Sequence, residues 1–234
     1  MTDRRTISDR GPGPAGSRIG PPDVEARGDR RRLRHDAKRA VIVAEAWELA
    51  RRDGLAAISL RDLADRVDLR QPSLYAYFDS KLALYDAMFV DAFQHLLETS
   101  AEQPPSDDPR EALVEFVELC VRFAADDPVR HQLMFQRTIP GFKPSPESRE
   151  LVFAFREIGR RRLTAVGVAD MPTADIFTGI VAGFTNQQVF NDPNGDRWLR
   201  QTRRVVEMFL AGIESQSPSK SPTPKPTRKR TKEK

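Results

Sequence analysis

The apolar residues between positions 36 and 214 recur three and four residues apart, segment after segment, with little strict alternation and few β-branched runs. That period suits one face of an α-helix and misfits a half-buried strand, so the spacing predicts an all-α chain. About nine helices follow from the period and its interruptions. The first runs from about Asp36 to Arg52, with Ile42, Val43, Ala46, Trp47, Leu49 and Ala50 on its apolar side and Asp53-Gly54 as its stop. The second opens at Ser59, an N-cap residue with Asp62 three positions on, and buries Leu60, Leu63, Ala64 and Val67. The third carries Pro72 in its first turn and ends near Phe78. Longer helices are expected at about 80–100, 109–126, 128–138, 146–167, 173–191 and 196–214, separated by breaks such as Pro104-Pro105, Asp127-Pro128, Pro140-Gly141 and Asp192-Pro193-Asn194-Gly195.

Composition changes outside this body. Residues 11–22 and 217–234 hold eight of the 18 prolines and almost no large apolar side chains, so too little surface is buried there to offset ordering entropy. The chain therefore divides into a disordered basic arm (1–35), a three-helix unit (36–82), a larger helical unit (83–214) and a disordered basic tail (215–234). The net charge of +4 sits in the ends. Nine Arg oppose five acidic residues before position 36, and seven Lys/Arg oppose Glu233 after position 214, which leaves −6 for the body. Residues 36–82 balance at eight Lys/Arg and eight Asp/Glu, so the acidic surplus belongs to 83–214, which is not a second nucleic-acid surface.

Several classes fall away. No window reaches the roughly 18 to 20 apolar residues of a spanning helix, and the MTDRR start lacks the apolar stretch of a signal peptide. A soluble, cytoplasmic protein with no membrane partner is expected. Cys120 is the only cysteine, which excludes an intrachain disulfide and a thiolate cluster. His35, His95 and His131 are scattered, and no Gly-rich phosphate loop, H-E-x-x-H or nucleophile elbow is present. No catalytic residue, metal or cofactor is expected, and the chain is not read as an enzyme.

Two short helices joined by a tight turn, with a third behind them, form a helix-turn-helix, whose second helix enters the DNA major groove. At 100° per residue Leu74 and Phe78 point to one side of that helix and Pro72 and Ala76 to the other, with Ser73 and Tyr75 flanking them. The outward side is small or hydrogen-bonding where a solvent face normally carries Glu and Lys, which suits close approach to base edges. Taken singly, the residues admit plainer readings. Arg61 is placed to pair with Asp65, Ser59 to cap its helix, Tyr75 and Tyr77 to be surface aromatics, and Lys81 to be a solvated charge.

The stretch RAVIVAEAWELARRDGLAAISLRDLADRVDLRQPSLYAYFDSKLALYDAMF, covering about residues 38–89, resembles the N-terminal DNA-binding domain of the TetR family of bacterial transcriptional regulators. Its most specific part is Leu74, Tyr75, Phe78, Ser80 and Lys81, and QPSLYAYF is similar to the recognition helix of the tetracycline repressor. The resemblance implies that Gln71 hydrogen-bonds a base and Pro72 packs on a thymine methyl. It further implies that Ser73, Tyr75 and Tyr77 touch bases or phosphates, that Lys81 holds a phosphate and that Arg61 reads guanine; Ser59 and Ala76 complete the candidate DNA-binding set. Asp68 stands where family members usually have Gly in the turn, and Ala76 replaces a larger residue, so the operator sequence does not transfer. Because residues 36–82 are neutral, one copy should bind DNA weakly, and two copies on a two-fold site are expected. Arg30, Arg31, Arg32 and Arg34 precede the first helix, where an arm could enter an adjacent minor groove.

For the larger unit the resemblance implies an apolar pocket for a small effector and a four-helix dimer interface built from the last two helices. Pocket candidates are Phe93, Phe116, Phe123, Met134, Phe153, Phe177, Phe184 and Gln187, with Asn186, Gln188, Thr185, His131 and Cys120 as further polar options; core packing is the plainer reading of most of the aromatics. Dimer candidates are Ile176, Ile180, Phe184, Val205, Phe209 and Ile213, with Gly179 and Gly183 allowing close helix approach. The expected partners are thus duplex operator DNA, a second copy of the chain and a small lipophilic effector. The function expected is a repressor that binds a palindromic operator and is released by that effector; the alternative is an activator or architectural protein whose C-terminal part only dimerises.

Overall fold

The computed structural model describes residues 23–216, with side chains described for 28–215. The expected disorder of 1–22 and 217–234 lies outside these residues. All regular elements among them are helical: α1 (Asp23–Asp53), α2 (Leu60–Arg66), α3 (Gln71–Leu74), α4 (Lys81–Glu102), α5 (Pro109–Asp126), α6 (Pro128–Phe135), α7 (Pro146–Ala165), α8 (Met171–Asn191) and α9 (Thr202–Gln216), with 3₁₀ turns at Leu55–Ala57 and Leu199–Gln201. None of these helices is long and apolar enough to cross a membrane.

The starts are written in the local chemistry. Ser59, Ser80, Asp108, Asp127, Ser145 and Asp170 each accept a backbone N–H of the helix that follows, and Pro stands in the first turn of α3 and of α5 to α8. Gly54, at φ 88°, stops α1 in a conformation that costs a glycine little.

The largest departure is at the start of α1, which begins at Asp23 rather than near Asp36. Low apolar content led 23–35 to be read as arm, but α1 is nucleated by its packed part, where Ile42, Ala46, Leu49 and Ala50 are fully buried. Once a helix is nucleated, each added residue costs little, and Arg, Ala and Leu favour the extension. Asp29 pairs with Arg32 at 2.5 Å along it, and the Arg34 Nε donates to the Arg30 carbonyl at 3.2 Å. The final helix differs too: a 3₁₀ turn at Leu199–Gln201 precedes α9, which starts at Thr202 rather than at Asp196.

One continuous apolar core runs through the molecule. The headpiece, made of α1 to α3, closes over Trp47, Leu63, Leu74 and Phe78, and α4 leads from it into the rest, packing on α1, α6 and α7. At the centre of the larger part lies α5, which α6, α7, α8 and α9 all contact. Its approach to α7 depends on Gly159, where a Cβ would stand 2.9 Å from the Phe116 ring.

Asp68 in the headpiece turn has φ 53°, the left-handed conformation that Asp tolerates better than most residues. A β-branched residue there should be strained, so Asp68→Val is expected to lower stability by about 1–2 kcal/mol while Asp68→Gly leaves it equal or slightly higher. Chemical denaturation of the two variants checks this, and a Val variant as stable as the parent would contradict the turn geometry.

Candidate nucleic-acid interface

The third helix is short because its sequence runs out of helical hydrogen bonds. From Gln71 to Leu74 the backbone is α-helical, and the Ala76, Tyr77 and Phe78 amides then close turns on Ser73 and Leu74. Leu74 and Phe78 are buried, and Gln71, Pro72, Ser73, Tyr75 and Ala76 are exposed, Tyr75 at 45%. No carboxylate lies on α3 itself. The expected division of this segment into an apolar inner side and a small, hydrogen-bonding outer side is therefore present.

The turn that aims α3 is held from behind. The Lys38 ammonium donates to the Val67 carbonyl at 2.6 Å, the Leu69 amide to Ala64 at 2.9 Å, and the Arg39 guanidinium to the Tyr77 carbonyl at 2.6 Å while lying 4.3 Å from the Phe78 ring centre. Charge on this unit is distributed unevenly. Glu45, Glu48 and Asp53 are each paired by Arg66, Arg51 and Arg52. Arg61 and Arg70, at the ends of α2 and before α3, are exposed and have no ion-pair partner among the described residues. Arg61 does not pair with Asp65, which leaves its guanidinium available to a ligand.

Three candidates have partners within the chain. Ser59 uses its hydroxyl as an N-cap, accepting the Asp62 amide at 3.3 Å. Tyr77 is half-buried, with its ring stacked 4.9 Å from the His35 ring at an interplanar angle of 21°, so it joins α3 to α1 rather than standing free for bases. Lys81 donates to the Ala56 carbonyl at 3.1 Å and lies 5.6 Å from the Tyr85 ring, fastening α4 to the turn after α1 rather than reaching outward.

A joint that sequence reasoning missed connects the headpiece to the rest. The buried Trp47 indole donates to Asp91 at 2.8 Å, and the Arg130 guanidinium also donates to Asp91, at 3.0 Å, with its carbon 5.3 Å from the Trp47 ring. Arg51 of α1 pairs with Asp127 at 2.6 Å, and Asp127 caps α6. The available signal was that a buried indole N–H needs an acceptor, but nothing local indicates that α4 and α6 supply the partners.

The candidate effector residues do not line one cavity among the described residues. Phe93, Phe116, Phe123, Met134 and Phe177 are core residues, whereas Phe153 is 63% exposed and Gln187 is exposed. Phe184 packs edge-on against Trp198 at 5.5 Å. Two open grooves along α4 and α5 have mixed linings: one, of about 430 Å³, is lined by residues including His95, Glu118, Arg122 and Phe123, and the other includes Thr99, Glu115, Phe116 and Arg162. The polar options are engaged in structure. Gln188, fully buried, accepts the Trp198 and Leu199 amides and donates to the Asp192 and Gly195 carbonyls, bracing the turn between α8 and α9. Asn186 accepts from Gln136 at 3.3 Å and lies 3.4 Å from His131, and burial holds that imidazole below the usual histidine range. Packing pushes the Cys120 thiol up to about 12, so it stays protonated and unreactive.

The dimer candidates separate into two groups. Phe184 and Phe209 turn inward, Phe209 lying 4.9 Å from Phe177, and Ile213 packs at the edge of the core. Helix α8 packs on α5 and buries only Phe177, Thr185 and Gln188. Its other side presents Ile176 (61% exposed), Gly179, Ile180, Gly183, Gln187 and Phe190 (66%). Ile176, Ile180, Gly183, Gln187 and Phe190 follow at spacings of four and three, the repeat of a helix-pairing seam. Val205, Met208 (65% exposed) and Gly212 continue a similar edge on α9.

Residues 42–88 match the family described as bacterial regulatory proteins, tetR family. No curated protein matches the chain. Among solved structures, a TetR-family transcriptional regulator from Bordetella parapertussis is 24% identical, with 76% of this chain and 96% of that chain covered and a TM-score of 0.56. A protein of unknown function from a Rhodococcus species is 21% identical over 75% of this chain and 94% of its own, with a TM-score of 0.62. A TetR variant from Acinetobacter baumannii in complex with minocycline is 22% identical over 75% and 96%, with a TM-score of 0.53. At such identities the likeness is one of fold.

Proposed function

We propose, from the match of residues 42–88 to the tetR family of bacterial regulatory proteins, that this chain is a member of that family and regulates transcription by binding a two-fold DNA site as a homodimer. The observation that carries the reading is the outer side of α3, where Gln71, Pro72, Ser73, Tyr75 and Ala76 are exposed together with no carboxylate among them, beside the unpaired Arg61 and Arg70. Such a surface can enter a major groove without like-charge repulsion from the phosphates. The seam on α8 supports a second copy: Ile176 and Phe190 are large apolar side chains left 61% and 66% exposed along one edge, on the side that α5 does not cover.

Selection from a random duplex library by the full chain tests the reading. Paired half-sites related by two-fold symmetry, with centres about 34–36 Å apart or a multiple of that, are the expected result. Enrichment of no duplex, or of one unpaired half-site, would count against it.

Regulation is read as repression released by a small lipophilic effector, in keeping with the minocycline bound to the Acinetobacter relative. A second reading, a larger unit that only dimerises, is favoured by the failure of the eight candidate pocket residues to enclose one chamber among the described residues. An effector can release DNA only if it binds the non-binding conformer more tightly. Titrating the selected complex with lipophilic compounds, beginning with minocycline, separates the two: release supports the first, and no release by any compound supports the second.

A further inference from the structure

We propose that the N-terminal extension of α1 is a second DNA-contacting element, holding phosphates of the duplex outside the half-site that α3 covers. This rests on the DNA-binding reading above and adds to it a surface outside the helix-turn-helix. The extension is continuous with the packed part of α1, with no break between Asp23 and Asp53. Its direction relative to α3 is fixed at the junction. His35 stacks on Tyr77, three residues past the end of α3, and Arg39, one turn later, grips the Tyr77 carbonyl and covers Phe78. Lys38 is bound to the turn before α3. A helix anchored in this way carries its preceding turns as a rigid overhang, and the stretch from Gly28 to His35 spans about 10 Å.

The charge of that overhang is directed and accessible. Residues 28–35 carry Arg30, Arg31, Arg32 and Arg34 against Asp29 alone, and all eight are exposed. By helical rotation Arg31 lies within about 40° of His35 and Arg32 within about 60°, so both share the side that touches the reading segment. Arg31 has no ion-pair partner among the described residues, and the Arg34 side chain reaches only a backbone carbonyl. The Arg32–Asp29 pair is exposed on both sides, at 79% and 62%, and such pairs exchange readily for a stronger anion. Lys38 and Arg39, by contrast, are committed within the headpiece. Since residues 36–82 are neutral, with Arg61 and Arg70 their unpaired cations beside α3, Arg31, Arg32 and Arg34 of the overhang add substantially to the charge that can neutralise phosphate. The substance recognised is the duplex backbone, so this contact adds affinity and register without selecting bases.

The full-length triple variant Arg31→Gln/Arg32→Gln/Arg34→Gln keeps helix-compatible side chains and removes three charges per subunit. Its binding is compared with the parent's on the duplex selected by the parent, once with at least about 10 bp of arbitrary flank on each side and once trimmed to the half-sites. Anisotropy titrations between about 50 and 200 mM salt read the result. The expected outcome is a salt slope shallower by about 5, from six contacts at about 0.9 each, with the selected half-site sequence unchanged. The parent should lose affinity on trimming and the variant should not. Arg31→Lys/Arg32→Lys/Arg34→Lys should retain the parent's slope, which separates charge from loss of fold. An unchanged slope and an unchanged response to trimming in the Gln variant would overturn the overhang while leaving DNA binding intact. Failure of the parent to enrich any duplex would overturn both.

Discussion

Replacing Ile176 and Ile180 together by Glu is expected to convert the protein to a monomer and to weaken binding to its selected duplex by about 10²–10⁴-fold. The two residues occupy successive positions of the α8 seam, next to Gly179 and Gly183, whose missing side chains leave open space that an approaching helix can fill. A second copy would bury the seam against its own counterpart, and four carboxylates would then meet in a low-dielectric contact, each without a partner. The double variant should fold, since Ile176 is largely exposed and Ile180 half-exposed in the single chain, and its circular dichroism should match the parent's. The loss of affinity follows from the neutral headpiece: a unit that gains little from phosphate neutralisation depends on its twin being held at the right spacing. Sedimentation velocity combined with titration of the selected duplex decides the matter. A variant that remains dimeric with parental affinity would remove α8 from the interface, and a monomer with parental affinity would remove the need for two copies.

The seam also shows where a single sequence can and cannot be read. Helical period and caps are local properties, and they placed the helices between α1 and α9 with their starts, because Ser59, Asp108, Asp127 and Ser145 each act on an amide two or three residues away. The inner and outer sides of α3 were legible for the same reason. Where apolar residues point depends on which neighbour arrives, and local pattern is silent on that. Phe184 and Phe209 share a helical spacing with Ile176 and Val205, yet Trp198 and Phe177 draw them inward. Gln187 was assigned to a pocket and lies on the exposed seam, whereas its neighbour Gln188 is buried as the brace of a turn. One residue of rotation on an α-helix is 100°, enough to exchange those roles. The Trp47–Asp91–Arg130 joint lay out of reach because its members come from α1, α4 and α6. Residues 23–35 depart from the expected disorder for a different reason: composition measures whether a segment can fold alone, and this stretch extends a helix already nucleated by the core.

Arg61→Ala and Gln71→Ala should each cost about 1–3 kcal/mol per half-site, and a symmetric dimer loses that amount twice, so each single substitution is expected to weaken the selected complex by at least about 30-fold. The two residues lie on the open side of the headpiece and support none of its packing: both are exposed, and neither has an ion-pair partner among the described residues. Their removal should therefore leave thermal stability within about 0.5 kcal/mol of the parent. A base-reading side chain and a phosphate-holding one differ in what is lost. If Arg61 spans the acceptor pair of a guanine, reselection with Arg61→Ala will relax one position in each half-site and leave the others, with the salt slope falling only through the lost charge. If it holds a phosphate, every sequence will weaken alike and the slope will fall by about 1 per subunit. Gln71 carries no charge, so its substitution should change sequence preference with no change of slope. Lys81 provides the internal contrast. Its ammonium is engaged with the Ala56 carbonyl and the Tyr85 ring, so Lys81→Ala should lower stability while leaving the selected half-sites and the salt slope as they were. A Lys81→Ala variant that instead keeps its stability and loses a phosphate's share of the salt slope would show that the side chain leaves this internal contact on DNA, as the family resemblance implies.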